Sequence, residues 1–170
     1  MGRYAKKGGV LEEFYYKSDI CNLKIGTEKE CLAYISFEQD CLVDNSVLSS
    51  FQKKIKCQLD EYFLGNRKEF SLPFKLKGSS FQKEVWDSIG SIKWGETVSY
   101  KMLAKHINRP KATRAVGSAC GKNPIPIVVP CHRVIHTHGA IGEYGGGRDL
   151  KEQLLTLEGF KSSPKQKGEG

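Results

Sequence analysis

The chain opens with three short runs rich in aromatic and β-branched residues, at 14–17, 20–25 and 31–37. Lys17-Ser18-Asp19 and Gly26-Thr27-Glu28 separate them and carry turn chemistry, which predicts a small antiparallel meander. The period then changes. Phe51, Ile55, Leu59, Tyr62 and Phe63 recur at helical spacing, and Gly65 stands where a helix-terminating glycine belongs. Strands followed by one helix predict a small α+β module. Residues 65–78, with Pro73 inside, read as a connector to a second unit. There Ser79 and Gln82 have capping-box spacing, and Phe81, Val85, Trp86 and Ile89 make the apolar face of a helix that Gly95 should stop. Ser99 can cap a helix over 100–107 with Leu103 and Ile107 inward. Asn108-Arg109-Pro110 then makes a turn, and Pro110 suits the start of a helix over 111–120. Two short helices joined by a few residues, the second one basic, have the layout of a helix-turn-helix.

Further on, Pro126 and Pro130 bracket Ile127, Val128 and Val129, a run that predicts a short buried strand ending at Cys131. Residues 142–147 form a Gly-rich loop flexible enough to close over a ligand. Leu150, Leu154, Leu155 and Leu157 mark a last helix that stops at Gly159. The expected architecture is α+β. A strand-plus-helix unit occupies 1–75 and begins with a loose polar stretch over 1–12. A mainly helical unit with a helix-turn-helix and a short active-site strand occupies 76–160, and 161–170 form a disordered tail.

Charge adds a partner to this picture. Residues 76–170 carry +7 of the net +8, and no acid lies between Glu96 and Glu143. That interval holds Lys101, Lys105, Arg109, Lys111, Arg114, Lys122 and Arg133, a basic block that suits a polyanion such as nucleic acid. The second basic helix is slim, because Ala112, Ala115, Gly117, Ser118 and Ala119 are small and Arg114 is its one long cation. Such a helix has few side chains to read a major groove and fits minor-groove or stacking use better; close helix packing is the plainer alternative. No apolar run approaches the ~20 residues needed to cross a bilayer, so no membrane partner is expected. The first residues have no apolar segment behind their basic ones, which argues against a secretory leader.

The six cysteines are therefore expected as free thiols, and their spacing from the four histidines offers no metal set in the N-terminal half. Cys131 differs from the others because His132 and Arg133 follow it directly. A thiol beside two potential cations should be more acidic than a free cysteine, and the thiolate is the nucleophile. A buried structural cysteine is the plainer reading.

Three features occur in order: the basic small-residue helix in NRPKATRAVGSA, then GKNPIPIVVPCHRVI, then a Gly-rich loop and a closing helix. With FQKEVW and WGETVSY before them, they resemble the O6-alkylguanine-DNA alkyltransferases, also called methylated-DNA–protein-cysteine methyltransferases. The resemblance covers about residues 81–159 and is looser in LDEYFLGNRKEFSLP. It implies a DNA repair protein that flips O6-alkylguanine out of double-stranded DNA through the minor groove, with O4-alkylthymine left open. Cys131 would accept the alkyl group irreversibly, with no cofactor. Members with an N-terminal zinc have a ligand set that this sequence lacks, so no metal is expected. His132 would be the base, oriented by Glu158. Asn123 would tie the recognition helix to the active-site strand, and Tyr100 would push on a phosphate and protonate the departing guanine. Arg114 would fill the gap in the base stack. Lys101, Arg109, Lys111 and Thr113 would contact phosphates, and Cys120, Val134, Tyr144 and Gly145 would line the base pocket. Gly145 stands where some members carry serine, so only its backbone N–H could meet O6. A monomer in the cytoplasm, or in the nucleus of a eukaryote, is expected. The rival readings are a non-catalytic sensor of alkylated DNA, a helix-turn-helix regulator, and a Cys-His hydrolase.

Overall fold

The computed structural model describes residues 10–40 and 47–160. The predicted tail at 161–170 and most of the predicted loose N-terminal stretch lie outside these. Three strands, β1 (Leu11–Lys17), β2 (Asn22–Glu28) and β3 (Cys31–Glu38), form an antiparallel sheet in chain order, with Phe14 opposite Ile25 and Ile25 opposite Ile35. The first strand starts earlier than the polar reading of 1–12 allowed, because pairing of Leu11 with Glu28 extends the ladder. Helix α1 (Ser50–Phe63) lays Phe51, Ile55, Leu59 and Tyr62 inward, and Phe14, Leu23, Ile25 and Leu32 are buried in the same apolar core. Ser49 and Gln52 close a capping box at its start, and Gly65 follows its last turn at φ 76, a left-handed position that glycine takes at no steric cost.

The second unit contains α2 (Ser80–Gly90), β4 (Val98–Ser99), α3 (Tyr100–His106), α4 (Thr113–Gly121), a two-residue strand β5 (Val134–Ile135) and α5 (Arg148–Leu157). The predicted Ser79–Gln82 capping box is present. Helix α2 ends at Gly90 rather than at Gly95, which instead turns the chain at φ 80. Helix α4 starts at Thr113, and Pro110 lies in the turn before it rather than in its first turn. The α3–α4 pair is the expected helix-turn-helix. Indole Nε1 of Trp86 donates to the Ala119 carbonyl at 2.9 Å and fixes α2 behind α4.

Both units contribute to one apolar cluster. Polar ties cross between them as well: the Ile35 amide donates to the Pro124 carbonyl at 2.9 Å, and the Tyr62 hydroxyl donates to Glu158 at 2.7 Å. Among the described residues no helix is long and apolar enough to cross a membrane.

Candidate active site

The segment carrying Cys131 is not the strand its apolar residues suggest. Pro126 and Val129 form one isolated bridge around a tight turn, with Ile127 at φ 74. Two prolines four residues apart remove the amide donors that a ladder would need, so a side chain does that work instead. Asn123 Nδ2 donates to the Val129 carbonyl at 2.7 Å, and its Oδ1 accepts from the Ile125 amide at 3.1 Å. Cys131–Arg133 is then a single 3-10 turn, and β5 pairs in parallel with β4, Val98 opposite Val134 and Ser99 opposite Ile135. This register sets Tyr100, the next residue after β4, beside His136, with ring centroids 5.2 Å apart.

From the 3-10 turn His132 and Arg133 both reach Glu158. His132 Nε2 lies 2.8 Å from Glu158 Oε1, while Arg133 donates Nε to Oε2 at 2.7 Å and Nη2 to Oε1 at 2.9 Å. All three side chains are buried. Burial alone would raise the Glu158 pKa, but the hydrogen bonds from His132 and Arg133 outweigh it and hold the carboxyl down at about 2. A carboxylate oxygen can only accept, so the imidazole proton sits on Nε2 and Nδ1 remains a proton acceptor. His132 Nδ1 and the Tyr144 hydroxyl are the buried side-chain atoms without a hydrogen-bond partner among the described residues. Burial pushes the His132 pKa down, so the ring is neutral near pH 7.

This arrangement corrects the expectation of an acidic thiol. Burial pushes the Cys131 pKa up, and Arg133 gives it no help because its charge is committed to Glu158 and to the Ile92 carbonyl. What opposes the burial is contact with Asn123 and the positive charge of Lys151. Lys151, which the sequence reading did not single out, reaches this site. It is buried on α5, donates Nζ to the Val134 carbonyl at 2.7 Å, and donates to the Tyr100 hydroxyl at 3.3 Å. Burial lowers its pKa to about 8, leaving the ammonium form in the majority at neutral pH. Its spacing was a usable signal, since Lys151 lies three and four residues before the inward Leu154 and Leu155.

Cys131 is only 6% exposed, yet it forms part of the wall of a cavity of about 750 Å³. That volume lies within the ~300–1,000 Å³ of small-molecule sites. Tyr100, Lys101, Thr113, Arg114, Cys120, Asn123, Tyr144 and Gly145 are brought together on the same wall. Val134 is not among them: it is fully buried, and its carbonyl accepts from Lys151. Lys111 is exposed in the turn before α4, and Arg109 pairs with Glu84 at 3.1 Å. The N-terminal unit adds Ile35, Ser36 and Phe37 to the wall, with Phe37 against Tyr144 at 5.4 Å, a contribution no local pattern could announce. No groups of His, Cys, Asp or Glu able to hold a metal ion occur among the described residues.

A helix-turn-helix seated over a cavity lined by a cysteine defines the class: a DNA-binding fold with a thiol beneath it. Residues 80–160 match the family model of the 6-O-methylguanine DNA methyltransferase DNA-binding domain, and residues 12–76 match that of its ribonuclease-like domain. The chain belongs to the O6-methylguanine-DNA methyltransferase family, the O6-alkylguanine-DNA alkyltransferases. A methylated-DNA–protein-cysteine methyltransferase of Methanosarcina acetivorans is 40% identical over 152 residues, which cover 85% of this chain and 96% of that protein. The Haemophilus influenzae protein of the same name is 38% identical over 151 residues, 85% and 84% of the two chains. Among solved structures, Mycobacterium tuberculosis O6-methylguanine methyltransferase superposes with a TM-score of 0.79 at 35% identity, covering 92% of this chain and 96% of that one. Mycobacterium tuberculosis OGT in complex with DNA gives 0.77 at 37% identity, covering 85% and 90%.

Proposed function

We propose that the protein repairs DNA by drawing an O6-alkylated guanine out of the stack and transferring its alkyl group to Cys131, once per molecule. The observation that carries this reading is the shared cavity: side chains of both helix-turn-helix helices and the Cys131 thiol lie on one wall. A stacked O6 is out of reach of a buried sulfur, so extrusion of the base is a physical requirement, and a poorly paired alkylguanine is easier to extrude. The slim face of α4 suits the minor groove. Arg114, exposed at its N-terminal end, is placed to fill the gap, while Lys101, Thr113 and Lys111 meet phosphates without reading sequence. Arg109 joins them by exchanging Glu84 for a phosphate.

In the pocket, Cys120, Tyr144 and the Gly145 backbone flank the base. The thiol proton passes toward His132 Nδ1, which Glu158 orients through Nε2. Asn123 holds the turn that carries the sulfur. The thiolate attacks the alkyl carbon in line, the carbon–oxygen bond breaks, and the guanine leaves with the electron pair. Tyr100 supplies a proton to the departing base. Burial and the neighbouring Cys120, Cys131 and Glu143 raise the Tyr100 pKa to about 12, so the phenol is protonated and able to donate. Lys151 stabilises both the thiolate and the phenolate that results. The thioether formed is not cleaved again, and the protein acts stoichiometrically. It works as a monomer, in the compartment that holds the DNA: the cytoplasm, or the nucleus of a eukaryote.

Intact-protein mass spectrometry after mixing with an O6-methylguanine duplex tests this directly. One added methyl per chain, mapping to the Cys131 peptide, is expected. More lesions repaired than protein molecules present, or a methyl group on another residue, would overturn it.

A further inference from the structure

Glu158 Oε1 receives three donors at once: His132 Nε2 at 2.8 Å, Arg133 Nη2 at 2.9 Å and the Tyr62 hydroxyl at 2.7 Å. Two of these come from the turn that carries Cys131. The third comes from α1, in the N-terminal unit, 96 residues away in the chain. Tyr62 is fully buried, and its ring packs edge-on or tilted against Phe63, Phe70 and Trp94 at 5.2–5.3 Å. A phenylalanine would satisfy those ring contacts equally well, so packing accounts for the ring and not for the hydroxyl.

We propose that Tyr62 is a positioning residue of the acceptor site, by which the N-terminal unit holds Glu158 and sets how strongly His132 acts as a base. The proposal rests on the reading of Cys131 as the alkyl acceptor. Its physical content is competition for one oxygen. Each donor to Oε1 neutralises part of the carboxylate charge, and the share left for His132 determines how far the imidazole is polarised toward proton uptake at Nδ1. The Tyr62 hydroxyl stays protonated, because burial and the adjacent Glu158 charge raise its pKa well above the ordinary value. The other ionisable groups facing this cluster are Arg133, held by both carboxylate oxygens; Lys151, whose charge disfavours protonation of His132; Cys131; Cys21, on the Tyr62 side; and Tyr144, whose ring meets His132 edge-on at 6.4 Å. Tyr62 is the one among these that donates to Glu158 from outside the C-terminal unit.

The sign follows. Tyr62→Phe frees part of Oε1 for His132, so His132 becomes more basic and its folded-state pKa moves up. Transfer requires neutral His132, so the acid limb of the rate–pH profile should move to higher pH by about half a unit to one unit, the equivalent of one neutral hydrogen bond. The same limb should move for iodoacetamide labelling of the Cys131 peptide, which needs no DNA. A variant that melts earlier but keeps the wild-type limb in both assays would overturn the proposal, leaving Tyr62 a packing residue. If wild type labels at Cys131 but never accepts a methyl from DNA, the functional reading fails while a shifted labelling limb still supports the role of Tyr62. Should Tyr62→Phe fail to fold, NMR of the wild type decides. A Tyr62 hydroxyl proton protected from exchange, with a cross-peak to the Nε2 proton of His132, is required, and a freely exchanging hydroxyl would overturn the proposal.

Discussion

The two units bury different things. In the N-terminal unit the polar side chains that go inside are uncharged: Thr27, Gln52 and Gln58. They serve the backbone, as when Gln58 spans to Ser71 with bonds of 3.1 and 2.8 Å, or Gln52 closes the cap of α1. The C-terminal unit buries His132, Arg133, Lys151 and Glu158. Four ionisable groups inside one small unit are costly to desolvate and add little net stability compared with apolar packing. A cluster of that kind makes sense where a proton must be moved and a thiol made reactive. The N-terminal unit is built for shape, and the C-terminal unit gives up some stability to chemistry.

The strongest test of this contrast removes the sulfur. Cys131→Ala should abolish methyl transfer while leaving affinity for duplex DNA, measured by fluorescence anisotropy, at the wild-type value. A large loss of affinity would mean that the cavity wall is a binding element first and an acceptor second. Next in size is Glu158→Gln, which strips the buried Arg133 of its counter-charge. Breaking a buried pair in this way costs about 3–5 kcal/mol, readable by urea denaturation, and transfer should slow with it. The loss should depend on pH. Because the folded pKa of Glu158 is depressed to about 2 from 4.5, its stabilisation is fully present above pH 4.5 and is lost as pH falls toward 2. The difference between wild type and variant should therefore shrink between pH 4.5 and pH 2. A difference that is the same at both ends would show that the carboxylate is not what holds the cluster.

The same contrast explains which features were legible in the sequence. Period and capping made the meander, α1, α2 and α5 readable, because in those elements local preference and burial agree. The run Ile127-Val128-Val129 looked like a strand for the same reason, yet Pro126 and Pro130 deny it a ladder and Asn123 folds it into a turn. Cys131 stood out by its two basic neighbours, and the roles of His132 and Glu158 came from resemblance to a known family. What lay beyond reach was the surroundings: only the fold shows Arg133 committed to Glu158 and Ile92 and the sulfur buried, so the predicted acidic thiol became a buried one. Lys151 was passed over because a lysine on a helix usually lies on its wet face. Phe37 closes the third predicted strand and Tyr62 lies on the apolar stripe of α1, and what each meets in the other unit depends on the tertiary fold.

A smaller effect is expected at Lys151, and it sharpens the comparison within the C-terminal unit. Lys151→Met keeps most of the volume and removes the charge that favours the thiolate and the Tyr100 phenolate. The thiol pKa should rise, and transfer at neutral pH should slow by about tenfold, the consequence of roughly one pKa unit. Stopped-flow transfer from a fluorescent alkylguanine duplex, together with the pH dependence of Cys131 labelling, measures both quantities. A slower transfer with an unmoved labelling curve would assign Lys151 to the departing base rather than to the sulfur.

The smallest effect on the chemistry should come from the N-terminal core. Ile55 is fully buried in α1, in the apolar cluster that also holds Leu23 and Ile25 of the sheet, and Ile55→Ala leaves a cavity there. Such truncations cost about 2–5 kcal/mol, so the urea midpoint should fall sharply. Below the new melting temperature the transfer rate per folded molecule should equal that of wild type, because Ile55 takes no part in the ties at Pro124, Tyr144 and Glu158. Shape and chemistry would then be separable, and the N-terminal unit would act on the acceptor site only through those few contacts. A rate that falls along with stability would mean instead that packing strain crosses the shared apolar cluster to the turn carrying Cys131, so that the two units work as one body even where no polar bond joins them.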